Sequence, residues 1–179
     1  MRLSRSTARL GLFVSVGVQA SLCATAPTVI DTDRGVTYKG FTRNGVEVFQ
    51  GIRFGLDTGG EYRFRPPRPY VPEHGAVIDA RHLGAACPQE TGRSRGPLSL
   101  GIIDDISEDC LSLNIVRPEA ALSQGAKFPV MLWMYGGSFW VGYNGEPTTK
   151  GDGVVLESIE NGLPVIHVTI NYRLGGERS

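Results

Sequence analysis

The carboxyl-terminal half of the sequence carries a strand–helix–strand pattern, which restricts the fold more than any other feature. Two apolar-rich runs, residues 128–135 (FPVMLWMY) and 165–171 (VIHVTIN), are typical of strands buried on both faces of a sheet. Two such strands joined by a helix lie parallel, with a right-handed crossover between them. The pattern therefore predicts an α/β fold.

A helix is predicted between the two runs. Asp152 can cap its first turn, and Asn161-Gly162 can end it. Pro164 prevents the helix from continuing into the second run. Three apolar side chains share one face of this helix: Val155, Leu156 and Ile159.

Short antiparallel strands are predicted over residues 28–49. The turns are Asp33-Arg-Gly35 and Asn44-Gly45, and the second is a strong hairpin signal because Asn and Gly tolerate a positive φ. Residues 46–49 (VEVF) alternate in polarity, as a return strand should. The amino-terminal strands are thus expected to lead into a mostly parallel sheet.

The middle of the chain gives weaker signals. Residues 51–110 are rich in Gly, Pro and Arg and show no sustained periodicity, so they are predicted to be irregular. Residues 111–116 (LSLNIV) predict a strand that ends at Arg117-Pro118.

Residues 1–20 are predicted to be a secretory signal peptide, with cleavage possible as late as Ala26. Arg2, Arg5 and Arg9 precede a short apolar run that Gly residues interrupt, and this run is too short for a membrane span. A buried helix or a short anchor is the alternative. The whole chain has a formal charge of zero and a pI near 6.8, which argues against a nucleic-acid partner.

Secretion favours a disulfide between Cys87 and Cys110, because secreted proteins pass through an oxidising compartment. A metal site at these two cysteines is the weaker interpretation, since no pair of histidines lies near them in the sequence. No metal or cofactor is predicted.

Tyr135-Gly-Gly-Ser138 is the most informative site for chemistry. Two glycines directly after a buried parallel strand allow a sharp turn that points successive N–H groups into a cleft. An acyl-transfer enzyme needs such donors where a carbonyl oxygen gains negative charge. An ordinary Gly-Gly loop remains an equal alternative on this fragment alone.

Six segments together decide between these alternatives. In order, they are residues 49–54 (FQGIRF), 61–67 (EYRFRPP), 86–89 (ACPQ), 107–114 (SEDCLSLN), 133–139 (WMYGGSF) and 171–175 (NYRLG). They resemble the type-B carboxylesterase family, which includes cholinesterases and secreted fungal lipases. The resemblance implies an α/β-hydrolase fold that hydrolyses small-molecule or lipid carboxylic esters with a Ser-Glu/Asp-His triad.

The resemblance also assigns roles to individual residues. It implies an oxyanion hole formed by the backbone N–H groups of Gly137 and Ser138, where Ser replaces the more usual Gly or Ala. The remaining implied roles are a cleft lining of Phe139 and Trp140, a disulfide between Cys87 and Cys110, and a buried structural ion pair between Arg63 and Glu108.

No catalytic nucleophile, acid or base is expected in this chain. Residues 92–96 (GRSRG) match the nucleophile-elbow pattern, but no strand precedes Ser94 and Pro97 follows the segment, so we predict a solvated loop. His167 lies in the middle of a predicted strand, where a core role is expected.

Nothing after Gly175 resembles the family. The expectation is therefore that residues 27–179 are the amino-terminal portion of the domain, truncated before the nucleophile and inactive alone. The strand over residues 165–171 is expected to have one edge without a partner. The alternative function is a non-catalytic secreted binding module.

Overall fold

The computed structural model describes residues 26–90, 103–119 and 126–178. In chain order the strands are β1 (Thr28–Asp31), β2 (Val36–Lys39), β3 (Phe41–Arg43), β4 (Val46–Arg53), β5 (Val77–Asp79), β6 (Ser112–Pro118), β7 (Val130–Met134) and β8 (Ile166–Ile170). Helix α1 (Asp152–Glu160) connects β7 to β8. Three short 3-10 turns cover Gly60–Tyr62, Pro147–Thr149 and Gly175–Arg178. The predicted signal peptide and the loop with Ser94 lie outside the described residues.

The strands form two sheets. The smaller sheet has the order β1-β2-β5, and the larger has the order β3-β4-β6-β8-β7. The strand–helix–strand unit is confirmed, because β7 and β8 pair in parallel with α1 between them. The other pairs of the larger sheet are antiparallel, so this sheet is mixed. Among the described strands of this sheet, β7 and β8 are the one parallel pair of the mostly parallel sheet that was expected.

The β3–β4 hairpin confirms the predicted turn, since Asn44 and Gly45 have φ values of 51° and 81°. The predicted return strand is confirmed as β4, and all four side chains of residues 46–49 are buried. Val46 and Val48 pack with Val155 of α1. On the opposite face Glu47 pairs with Arg117, and the Arg117 guanidinium lies over the ring of Phe49. Both faces of β4 are therefore covered.

The end of α1 is as predicted and its beginning is not. At the end, Gly162 has a φ of 72° and the N–H of Leu163 donates to the Ser158 carbonyl at 2.9 Å. At the beginning, Gly151 is the N-cap residue and makes no side-chain cap. Asp152 is already helical, and its carboxylate instead accepts hydrogen bonds from the side chains of Arg43 and Asn44.

Strand β6 extends two residues further than predicted, through Arg117 and Pro118. Strand β8 pairs only with residues 113–116 of β6. Pro118 therefore lies where one side of β6 has no strand beside it, and there a missing N–H is tolerated.

Strand β7 is not buried on both faces, which corrects the prediction. Its five side chains are between 46% and 63% exposed: Val130, Met131, Leu132, Trp133 and Met134. Strand β7 is at the edge of the sheet and pairs only with β8 among the described strands, and helix α1 packs mainly over β4, β6 and β8.

Strand β8 also differs from the prediction. It pairs with β6 on one side and β7 on the other, so the open edge belongs to β7 and not to β8. Its polar side chains, His167 and Thr169, are buried, whereas its isoleucines and Val168 are only partly buried. The buried polar pair lies on the same sheet face as Val116, which packs with α1.

Candidate functional site

The loop after β7 makes a tight left-handed turn. Gly137, Ser138 and Phe139 have φ values of 118°, 54° and 65°. A Cβ atom at Gly137 would lie 1.9 Å from the carbonyl oxygen of Val141, so only glycine fits there. The turn closes because the N–H groups of Trp140 and Val141 both donate to the Gly137 carbonyl, at 3.0 and 3.3 Å.

The two N–H groups expected to form the oxyanion hole lie inside this turn. Neither the N–H of Gly137 nor that of Ser138 donates a hydrogen bond to another described residue. Both residues are exposed. The turn thus presents two adjacent backbone donors on the surface.

The far end of the loop is fixed by Gln89. The N–H of Gly142 donates to Gln89 Oε1 at 2.8 Å, and Gln89 Nε2 donates back to the Gly142 carbonyl at 2.9 Å. A Cβ atom at Gly142 would lie 2.4 Å from the ring of Tyr135. Gln89 belongs to one of the six sequence segments, but sequence reasoning did not identify this role.

Three buried asparagines hold the chain that follows the loop. The N–H of Asn144 donates to Asn171 Oδ1 at 2.8 Å, and Asn114 Nδ2 donates to the Asn144 carbonyl at 3.0 Å. Asn171 Nδ2 in turn donates to the carbonyls of Ala85 and Cys110. This network joins the loop to β6, to the end of β8 and to the disulfide, and sequence reasoning missed it.

Tyr135 and Tyr172 hold the near end of the loop. Their rings stack with centroids 4.3 Å apart, and each hydroxyl donates to the backbone carbonyl of the other residue. Burial raises the pKa of Tyr135 well above its usual value, so its hydroxyl remains a neutral donor.

The two expected cleft-lining residues are next to the donors and are exposed. Phe139 meets the ring of Tyr172 edge-on at 6.3 Å, and its carbonyl accepts from the N–H of Gly175 at 2.7 Å. The Trp140 side chain is 70% exposed. The loop therefore presents apolar surface beside its backbone donors.

The two structural pairs implied by the resemblance are both formed. Cys87 and Cys110 are joined by a disulfide and are buried. Arg63 and Glu108 form a two-point ion pair, but the Arg63 side chain is 52% exposed, so the expected burial of this pair is wrong. Arg63 directly follows the 3-10 turn at the surface, and its guanidinium remains partly in water.

The histidines are in surface or core positions. His82 is exposed near Asp79, whereas His167 is buried, and burial lowers its pKa. Within the described part of the chain, no group of three or more His, Cys, Asp or Glu residues could hold a metal ion. No described helix is both long and apolar enough to cross a bilayer.

Comparisons with known proteins agree on one family. The profile of the carboxylesterase family matches residues 28–176. A secreted lipase of Arthroderma benhamiae is 50% identical over 157 residues, which are 87% of this chain and 27% of the lipase. An inactive carboxylesterase-like protein of Byssochlamys spectabilis is 46% identical over 150 residues, which are 83% of this chain and 25% of that protein.

Solved structures give the same result. A thermophilic PNB esterase matches with a TM-score of 0.69 and 34% identity, over 86% of this chain and 29% of the esterase. The chain thus spans about a quarter of the length of the curated relatives that it matches.

Proposed function

Because the chain belongs to the carboxylesterase family, we propose that it supplies the oxyanion-binding, amino-terminal part of a secreted carboxylic ester hydrolase. The observation that carries this proposal is the left-handed turn at Gly137 and Ser138, which leaves two adjacent N–H groups without an acceptor among the described residues. Secretion is supported by the relative named a secreted lipase.

The chemistry required of the turn is specific. When a nucleophile attacks an ester, the carbonyl oxygen becomes an oxyanion, and backbone donors placed in advance stabilise it. Loss of one such donor typically lowers kcat by about 10²- to 10³-fold. Ser138 serves as well as glycine for this purpose, because the donor is its backbone N–H.

The substrate class follows from the surroundings of the donors. The exposed rings of Phe139 and Trp140 suit the apolar acyl part of a small-molecule or lipid ester. The described residues contain no nucleophile paired with a base near the turn, so we propose that this chain alone does not hydrolyse esters and that the triad belongs to the rest of the domain.

A second candidate is a non-catalytic binding module. It is favoured by one observation, the 46% identity to a relative named inactive. The two candidates differ in one property, since only the hydrolase requires the N–H groups of Gly137 and Ser138 to face a reacting carbonyl.

A chimera with a longer relative tests the proposal. Residues 28–176 replace the matching part of the Arthroderma lipase, and hydrolysis of p-nitrophenyl butyrate is measured. We expect an active chimera in which Gly137→Ala lowers kcat by about 10²-fold or more, because the added Cβ displaces the turn.

Gly136→Ala is the matched control, since a Cβ there would meet nothing within 4 Å and Gly136 is not among the residues with positive φ. A folded chimera without activity would favour the binding module. Equal activity of the two alanine variants would contradict the role of the turn.

A further inference from the structure

We propose that Tyr135 and Tyr172 form a clamp that positions the oxyanion turn, which makes them positioning residues for ester hydrolysis. This inference rests on the proposed function. The pair is called the tyrosine clamp below.

The clamp is reciprocal. The Tyr135 hydroxyl donates to the Tyr172 carbonyl at 3.0 Å and accepts from the Tyr172 N–H at 3.3 Å. The Tyr172 hydroxyl donates to the Tyr135 carbonyl at 2.5 Å. Three hydrogen bonds and a stacked ring pair thus connect two residues that are 37 positions apart, at the ends of two neighbouring parallel strands.

The position of the contacted carbonyl gives the clamp its effect. The Tyr135 carbonyl belongs to the peptide that leads into Gly136 and Gly137. Glycines have the widest backbone freedom of all residues, so nothing intrinsic to them fixes the direction of the next N–H groups. The hydrogen bond from the Tyr172 hydroxyl orients this peptide before the glycines begin.

The same segment holds the other side of the turn. The N–H of Gly175 donates to the Phe139 carbonyl at 2.7 Å, and the Phe139 ring meets the Tyr172 ring edge-on. Residues 172–175 therefore bracket the two donors, Gly137 and Ser138, from both ends. A shift of this segment changes where both N–H groups point.

Phenylalanine variants separate the hydroxyl bonds from the ring stack. In the lipase chimera, Tyr172→Phe removes the bond to the Tyr135 carbonyl and Tyr135→Phe removes the two bonds to Tyr172. We expect each to lower kcat by about tenfold, the factor that the loss of one hydrogen bond produces, with KM changed less than twofold. Because the bonds act as a unit, the kcat of the double variant is expected to equal that of the less active single variant.

Tyr70→Phe is the matched control, since the Tyr70 ring lies under the Arg53 guanidinium, outside the turn. It is expected to keep the kcat of the chimera. Clamp variants that lose thermal stability yet keep kcat would show a structural tie only and would overturn the proposal.

Hydrogen exchange of the chain itself separates this inference from the proposed function. The hydrogen-bonded N–H groups of Trp140 and Gly175 report on the turn, and the strand N–H groups of β4 are the internal reference. Tyr172→Phe is expected to raise exchange of Trp140 and Gly175 by about tenfold and to leave β4 unchanged. Unchanged exchange would overturn the clamp whatever the chimera does, whereas faster exchange in the chain with an inactive parent chimera would support the clamp and contradict the proposed function.

Discussion

Strands β4 and β7 differ in how far their side chains are buried. Both are rich in apolar residues, yet residues 46–49 of β4 are buried on both faces and all five side chains of β7 are about half exposed. The sequence pattern predicted that β7 is buried on both faces, and it predicted β4 only as a return strand. The difference shows that burial is determined by what lies beside and over a strand.

The means by which the two regions are held differ as well. The region around β4 and β6 has a disulfide, ion pairs and an apolar cluster with α1. The turn after β7 is held mainly by hydrogen bonds to Gln89 and Asn171 and by the tyrosine clamp. A surface turn that must present backbone donors cannot be buried under apolar side chains, so polar contacts fix it instead.

Removal of the disulfide is expected to have the largest effect, on the β4–β6 side of the comparison. The bridge spans 23 positions. Replacement of Cys87 and Cys110 by alanine is expected to lower the free energy of unfolding by about 3 kcal/mol, measured by urea denaturation. A double variant as stable as the parent would show that the packed region does not depend on its bridge.

The ion pairs Arg43–Asp152 and Arg63–Glu108 are expected to give effects of intermediate size. The Asp152 side chain is 9% exposed and accepts three hydrogen bonds from Arg43 and Asn44, whereas Glu108 and its partner Arg63 are 22% and 52% exposed. Asp152→Asn is expected to cost about 2 kcal/mol and Glu108→Gln less than about 1 kcal/mol, because solvent screens the second pair. Equal costs would mean that exposure does not decide the strength of these pairs.

The Asp152 effect is also expected to depend on pH. Burial alone would raise the pKa of Asp152, but the hydrogen bonds from Arg43 and Asn44 outweigh it and hold this pKa below its usual value. The stabilisation is therefore complete above about pH 4, the unfolded-state value, and is lost as the pH falls through the lower folded-state pKa. The difference between the parent and Asp152→Asn is expected to shrink over that range in urea titrations.

Local chemistry was predictable from the sequence, and long-range partners were not. Asn44, Gly45 and Gly162 acted as predicted because their tolerance of positive φ is intrinsic. Asp152 did not cap its helix, because Arg43, far away in the sequence, competes for the carboxylate. The burial of β7 and the pairing of β5 also depend on partners that no local pattern contains.

In the candidate site, too, the local turn was predictable and its distant partners were not. The two glycines after an apolar run located the turn, since a left-handed turn needs them. The supporting residues Gln89, Asn171 and Tyr172 were missed, because each acts on backbone atoms 27 to 53 positions away. All three lie in segments that carried the family resemblance, which was the only signal available.

The exposed edge of β7 gives the smallest expected effect on folding and the clearest contrast with β4. Leu132 is 52% exposed, so Leu132→Lys is expected to change the free energy of unfolding by less than about 0.5 kcal/mol. Because an apolar edge strand is a template for pairing with another chain, and a lysine on it opposes such pairing, the variant is expected to associate less, as measured by light scattering against concentration.

Leu163→Lys is the matched control, because Leu163 is 75% exposed but lies in the loop after α1 and not on a strand edge. If both variants reduce association equally, exposed apolar area is responsible. If only Leu132→Lys does, the open hydrogen-bonding edge of β7 is what separates it from β4, whose two edges are both paired.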